Sequence, residues 1–123
     1  MCTDGGQPPG SIAEALRTAH AIRVLNELTH GGGGELSHPG DVRDIVGSLE
    51  LIGQGLPQLY EQLARFLVIQ HEDGQLAHDS GDDPDGRITE VIEALTAAGQ
   101  AADMMTAALT EARAASASLN PVR

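Results

Sequence analysis

The sequence predicts an all-α protein, with one short N-terminal helix followed by a long antiparallel helical hairpin in heptad register that dimerises into a larger bundle. Three observations lead there. Apolar residues recur at alternating spacings of three and four along two long stretches. Gly- and Pro-rich segments separate the helical stretches from one another. A chain of 123 residues is enough for one domain and too short for two comfortable ones.

The N-terminal residues 1–10 are polar and rich in Gly and Pro, as expected of a loose tail. At Ser11 the pattern changes. Ser11 and Glu14 have the spacing of a capping box, so a helix is expected from about 12 to 29. Its apolar residues occupy two sides: Ile12, Leu16, Ala19 and Ile22 on one, Val24, Leu25 and Leu28 on the other. A helix apolar on two sides expects neighbours on both. The run Gly31–Gly34 ends it, because glycine costs about 1 kcal/mol per residue in a helix interior relative to alanine.

Asp41 is the expected N-cap of a second helix over 41–71. Its main stripe is Val42, Ile45, Leu49, Ile52, Leu56, Leu59, Leu63 and Phe66. Val46, Gly53, Tyr60 and Leu67 form a second row beside it. Gly53, Gly55 and Pro57 interrupt the helix chemically without breaking the heptad phase, which predicts a kinked helix with a hinge near 53–57. Leu51, Val68 and Ile69 fall on the side opposite the main stripe.

An acidic loop covers 72–86, and a third helix is expected over 87–119. Ile88, Val91, Leu95, Ala98, Ala102, Met105, Leu109, Ala112 and Leu119 stand in its a/d register, with Ser116 as the one polar member. The small residues at 98, 102 and 112 permit close helix approach. Asn120-Pro121 stops the helix, leaving 121–123 as a tail and 11–120 as a single helical domain. Two helices of this size would each be about 45 Å long.

Composition narrows the function. There are 18 acidic against 7 basic residues, a net charge of −11, which opposes direct binding to nucleic acid or to an anionic membrane. Every basic residue is arginine, and tryptophan is absent. The single cysteine, Cys2, excludes an internal disulfide framework. No apolar stretch reaches the roughly 20 residues of a membrane span, and residues 1–6 lack the pattern of a secretory signal.

Chemical motifs are sparse. Asp83-Pro84-Asp85-Gly86-Arg87-Ile88 resembles the middle of an EF-hand loop. Aligned on Gly86, however, Gly81 takes the first ligand position and Ile92 the bidentate-glutamate position. Asp82, Asp83 and Asp85 are therefore only weak metal candidates, and their simpler role is to complement the dipole at the start of the third helix. His71, Glu72, Asp73, His78 and Asp79 have no metal-demanding spacing. No Gly-x-Ser-x-Gly elbow or phosphate loop occurs, so no catalytic residue and no cofactor is expected.

The lysine-free, Ala/Gly/Asp-rich composition, with an acidic loop between amphipathic helices, resembles small helical accessory proteins of high-GC actinobacteria. The resemblance is compositional and implies a cytoplasmic accessory protein. The expected function is non-catalytic: a protein-interaction or scaffold module that self-associates as a homodimer or higher homo-oligomer and presents a surface to a further protein partner. Val46, Leu51, Tyr60, Leu67, Val68 and Ile69, with Val24 and Leu28, are the expected interface. The alternatives are a divalent-metal binder using residues 79–86, and an acidic inhibitor or nucleic-acid mimic acting on a basic partner.

Overall fold

A computed structural model of the chain describes residues 9–31, 36–76 and 84–120. Residues 1–8 with Cys2, most of the glycine run, Asp82 and Asp83, and residues 121–123 lie outside the described residues. The described elements are α1 (Gly10–Leu28), α2 (Pro39–Glu72) and α3 (Asp85–Ser116). They form two units, α1 belonging to one and the α2–α3 hairpin to the other. No strand occurs among the described residues.

The helix ends differ from expectation in ways local chemistry explains. Pro9 precedes α1, and the Ala13 amide donates to the Pro9 carbonyl at 3.1 Å. Ser11 therefore lies inside the first turn, and the Ser11/Glu14 box does not form; the Glu14 carboxylate is taken by Arg17 one turn later. Pro39 opens α2, suited to the first helical position because its missing N–H would be unsatisfied there anyway. Asp41 consequently sits in the first turn, and its Oδ2 accepts from the His38 backbone N at 3.1 Å. The other end of α2 closes on Gly74, whose φ of 73° carries the chain into the left-handed region. There Gly74 N donates to His71 O at 3.0 Å and Gln75 N to Gln70 O at 2.9 Å, the paired bonds of a Schellman stop. α3 ends at Ser116, before Asn120. The Ser116 and Ser118 hydroxyls donate to the carbonyls of Arg113 and Ala115, offering the backbone an alternative to helix.

α2 remains one continuous helix through Gly53, Gly55 and Pro57. It pairs with α3 in an antiparallel sense. Glu50 meets Thr110 and Arg113, Pro57 lies against Gly99, and His71 bonds Asp85, so contacts advance along α2 as they recede along α3.

The seam between the helices is displaced from the expected one. On α2 the row facing α3 is Val46, Glu50, Gly53, Pro57, Tyr60, Ala64, Leu67 and His71, each buried or half-buried. The spacing is again alternately four and three, but every member up to Leu67 follows an expected stripe residue by one position. The stripe from Ile45 to Phe66 is thus turned about 100° away from α3. On α3 half the expectation holds: Ile88, Leu95, Ala102, Leu109 and Ser116 face α2. Ile92, Gly99, Thr106 and Arg113 replace Val91, Ala98, Met105 and Ala112.

Small residues decide this. A Cβ on Gly53 would collide with Thr106 Oγ1 and come within 3.0 Å of Met105 Cε, so the helices approach most closely where α2 has no side chain. The opposite small residue, Ala102, is the one buried apolar side chain among the described residues.

Candidate interaction face

The two sides of the hairpin differ in chemistry. On one, an open groove of about 430 Å³ is lined by Tyr60, Glu61, Arg65, Val68, Thr96, Gln100 and Asp103, among others. Pro57, Ala64, Ile92 and Leu95 form its apolar floor, and Gln54, Gln58 and Gln62 continue its polar rim. Helical geometry at 100° per residue places the displaced stripe on the other side. There α2 presents Ile45, Leu49, Ile52, Leu56, Leu59, Leu63 and Phe66. Beside them α3 presents Val91, Ala94, Ala98, Ala101, Met105, Ala108 and Ala112. No charged or polar side chain occurs in either row.

Much of this apolar flank is open, with Ile45, Leu49, Leu56 and Ala98 half-buried. Ile52 is 41% exposed, Leu59 46%, Leu63 48% and Phe66 59%; on α3, Val91 and Met105 are each 40% exposed. Scattered exposed apolar residues are ordinary, but these form contiguous rows along two adjacent helices.

The residues singled out from the sequence divide accordingly. Tyr60 is half-buried in the seam, its Cδ2 3.9 Å from a Cβ built on Gly99, and Val46 and Leu67 occupy the same row. Within the single chain they pack along the seam of the hairpin, each half-buried. Leu51 and Ile69 are exposed on the outer surface of α2, and Val68 lines the groove on the opposite side from the flank. On α1, Val24 is half-buried and Leu28 exposed, and no α1 residue is buried. Of the expected hinge, Gly53 serves close approach, Gly55 has open space around it, and Pro57 packs on Gly99.

Polar links between α2 and α3 occur at two levels of the described hairpin, and the sequence pattern identified neither. Glu50 is buried at 6% exposure, its Oε1 accepting from Arg113 Nε at 2.5 Å and its Oε2 from Thr110 Oγ1 at 2.5 Å. The Arg113 hydrogen bond, then that of Thr110, lowers the Glu50 carboxyl below its ordinary value, and Glu50 in turn raises Arg113. At the other end His71 Nε2 pairs with Asp85 Oδ1, tying the last turn of α2 to the first of α3. Asp85, a weak metal candidate by sequence, thus stands at a helix junction. Among the described residues no three His, Cys, Asp or Glu side chains converge as a metal site. No helix among them is long and apolar enough to cross a membrane.

No family model, no curated protein and no solved structure matches the chain.

Proposed function

We propose that the chain is a non-catalytic helical self-association module, acting as a cytoplasmic accessory or scaffold protein. One observation carries this reading: a contiguous apolar flank with Ile52, Leu59, Leu63 and Phe66 stays largely exposed, while the seam intersperses Gly53, Ala64, Gly99 and Ala102 among its larger apolar residues. A hairpin with so little buried apolar surface has a weak driving force of its own, because helices in proteins are stabilised mainly by packing an amphipathic face. Completing the burial of Ile52, Leu59, Leu63 and Phe66 contributes about 1 kcal/mol each, half the value for a fully buried side chain. Such contributions, repeated on both partners, offset the ~4–15 kcal/mol lost in translational and rotational freedom on association.

The test is dilution. Helical circular dichroism and native mass are followed together from tens of micromolar to tens of nanomolar. Association as the source of stability predicts that both fall over the same concentration range. A helical signal and melting midpoint independent of concentration contradict it.

A further inference from the structure

We propose that the apolar flank is covered by a second copy of this chain, related by a two-fold axis running along the helices, so that each α2 lies on the partner's α3. The proposal deepens the self-association reading and rests on it.

The flank is self-complementary in shape. Its α2 row is large, with Leu and Ile throughout and Phe66 at one end. Its α3 row is mostly alanine. Two flanks brought face to face can be related in two ways. A two-fold perpendicular to the helices stacks α2 on α2, large against large, and leaves α3 on α3 with alanines opposed across a gap. A two-fold along the helices lays each large row on the partner's small row. Close packing favours large against small, because voids forfeit contact energy and overfilling forces strain. Both arrangements make every neighbouring pair of helices antiparallel, as in an up-down-up-down four-helix bundle, so the fit of large against small decides between them.

Charge and area agree. In a chain of net charge −11 the flank carries none, so two copies meet there without bringing like charges into the contact. It equally offers no charge to a basic or acidic partner. From residue 45 to 66 the flank runs about 32 Å, and two helices side by side are about 20 Å wide, giving a footprint of about 600 Å² per copy. Both copies together reach the roughly 1,000 Å² of a specific interface.

An axis along the helices preserves height. Pro57 lies level with Gly99 and Glu50 with Thr110, so Leu63 falls within a turn of the partner's Ala94, and Leu49 within a turn of the partner's Ala108. The test uses full chains with Cys2→Ser and one new cysteine each: Leu63→Cys, Ala94→Cys, Leu49→Cys and Ala108→Cys. Each is first sized in its reduced form, and pairs that remain associated are oxidised. The expected result is a disulfide-linked dimer on mixing Leu63→Cys with Ala94→Cys, or Leu49→Cys with Ala108→Cys, and little linkage of any variant with itself. A disulfide requires Cα atoms within about 7 Å, so same-helix stacking cannot mimic this. Self-linkage of Leu63→Cys or Leu49→Cys, or no linkage in an intact dimer, overturns the arrangement and leaves self-association standing. If the natural chain is monomeric, the self-association reading itself fails. If each leucine variant dissociates, Ala94→Trp decides: an alanine seated under the partner's leucine predicts dissociation, and an unchanged dimer overturns the proposal.

Discussion

Glu50 on α2 and Arg113 on α3, 63 residues apart in sequence, share a hydrogen bond of 2.5 Å between Oε1 and Nε, at the one buried carboxylate among the described residues. The pair fixes the relative height of the two helices at a level where apolar packing is thin. Its acid dependence follows from the lowered carboxyl of Glu50. Because the folded value lies below the ordinary 4.5, the contribution is complete above 4.5 and is lost as pH falls through the folded value. Glu50→Gln is expected to melt at lower temperature than the natural chain at pH 7. The gap should narrow below pH 4.5 and close once the natural carboxyl is protonated. Melting curves across pH 2–7 check this, and a gap independent of pH contradicts it.

The glycines of the hairpin divide by what a methyl group would meet. Gly53→Ala drives a Cβ onto Thr106 Oγ1, which is itself held by a 2.8 Å hydrogen bond to the Ala102 carbonyl. Overpacking of this kind costs about 1–3 kcal/mol, against about 1 kcal/mol gained in helix propensity. Gly53→Ala is therefore expected to lower the melting midpoint. Gly55→Ala, in open space, and Gly99→Ala, with its nearest neighbour at 3.7 Å, are expected to raise it, by up to about 1 kcal/mol each. Denaturant titration of the three variants checks the order, and a stabilised Gly53→Ala would show that α3 yields easily there.

His71→Ala removes the link from the end of α2 to Asp85. Both partners are partly or largely exposed, so the global cost is small, about 0–1 kcal/mol. The effect is expected locally, as faster amide exchange over residues 67–72 and 85–90 with little change at Gly53 or Ala102. Uniform acceleration along both helices would contradict a local clamp.

The all-α class, the number of helices and the hairpin were legible in the sequence because periodicity reports helix phase directly. The seam was not. A heptad count ranks rows by hydrophobicity, which selected Leu49, Leu56 and Leu63, whereas the hairpin joins along Gly53, Ala64 and Ala102, where backbones approach. Both rows have the same period and differ by one residue, so the sequence of α2 alone does not say which of them meets α3. Glu50 was missed for a related reason. A charge beside an apolar stripe reads as solvated, and its partners Thr110 and Arg113 are far away in sequence. The polar Ser116, by contrast, kept its place in the expected register.

The two sides of the hairpin give a controlled comparison. Leu63→Glu places a charge on the apolar flank and is expected to reduce association at least tenfold, since an unpaired charge buried in a contact is costly. Gln58→Glu, on the polar side, adds the same charge and is expected to leave association within a factor of two. Equal effects would implicate net charge instead of the flank.

The most direct measurement is native mass by light scattering on an eluting peak, at low micromolar concentration, for the natural chain and for a Leu59→Glu/Leu63→Glu variant. The account predicts one species at twice the 12.8 kDa chain mass for the natural protein, and the chain mass for the variant. A natural protein that elutes at 12.8 kDa with its helical content intact would contradict it.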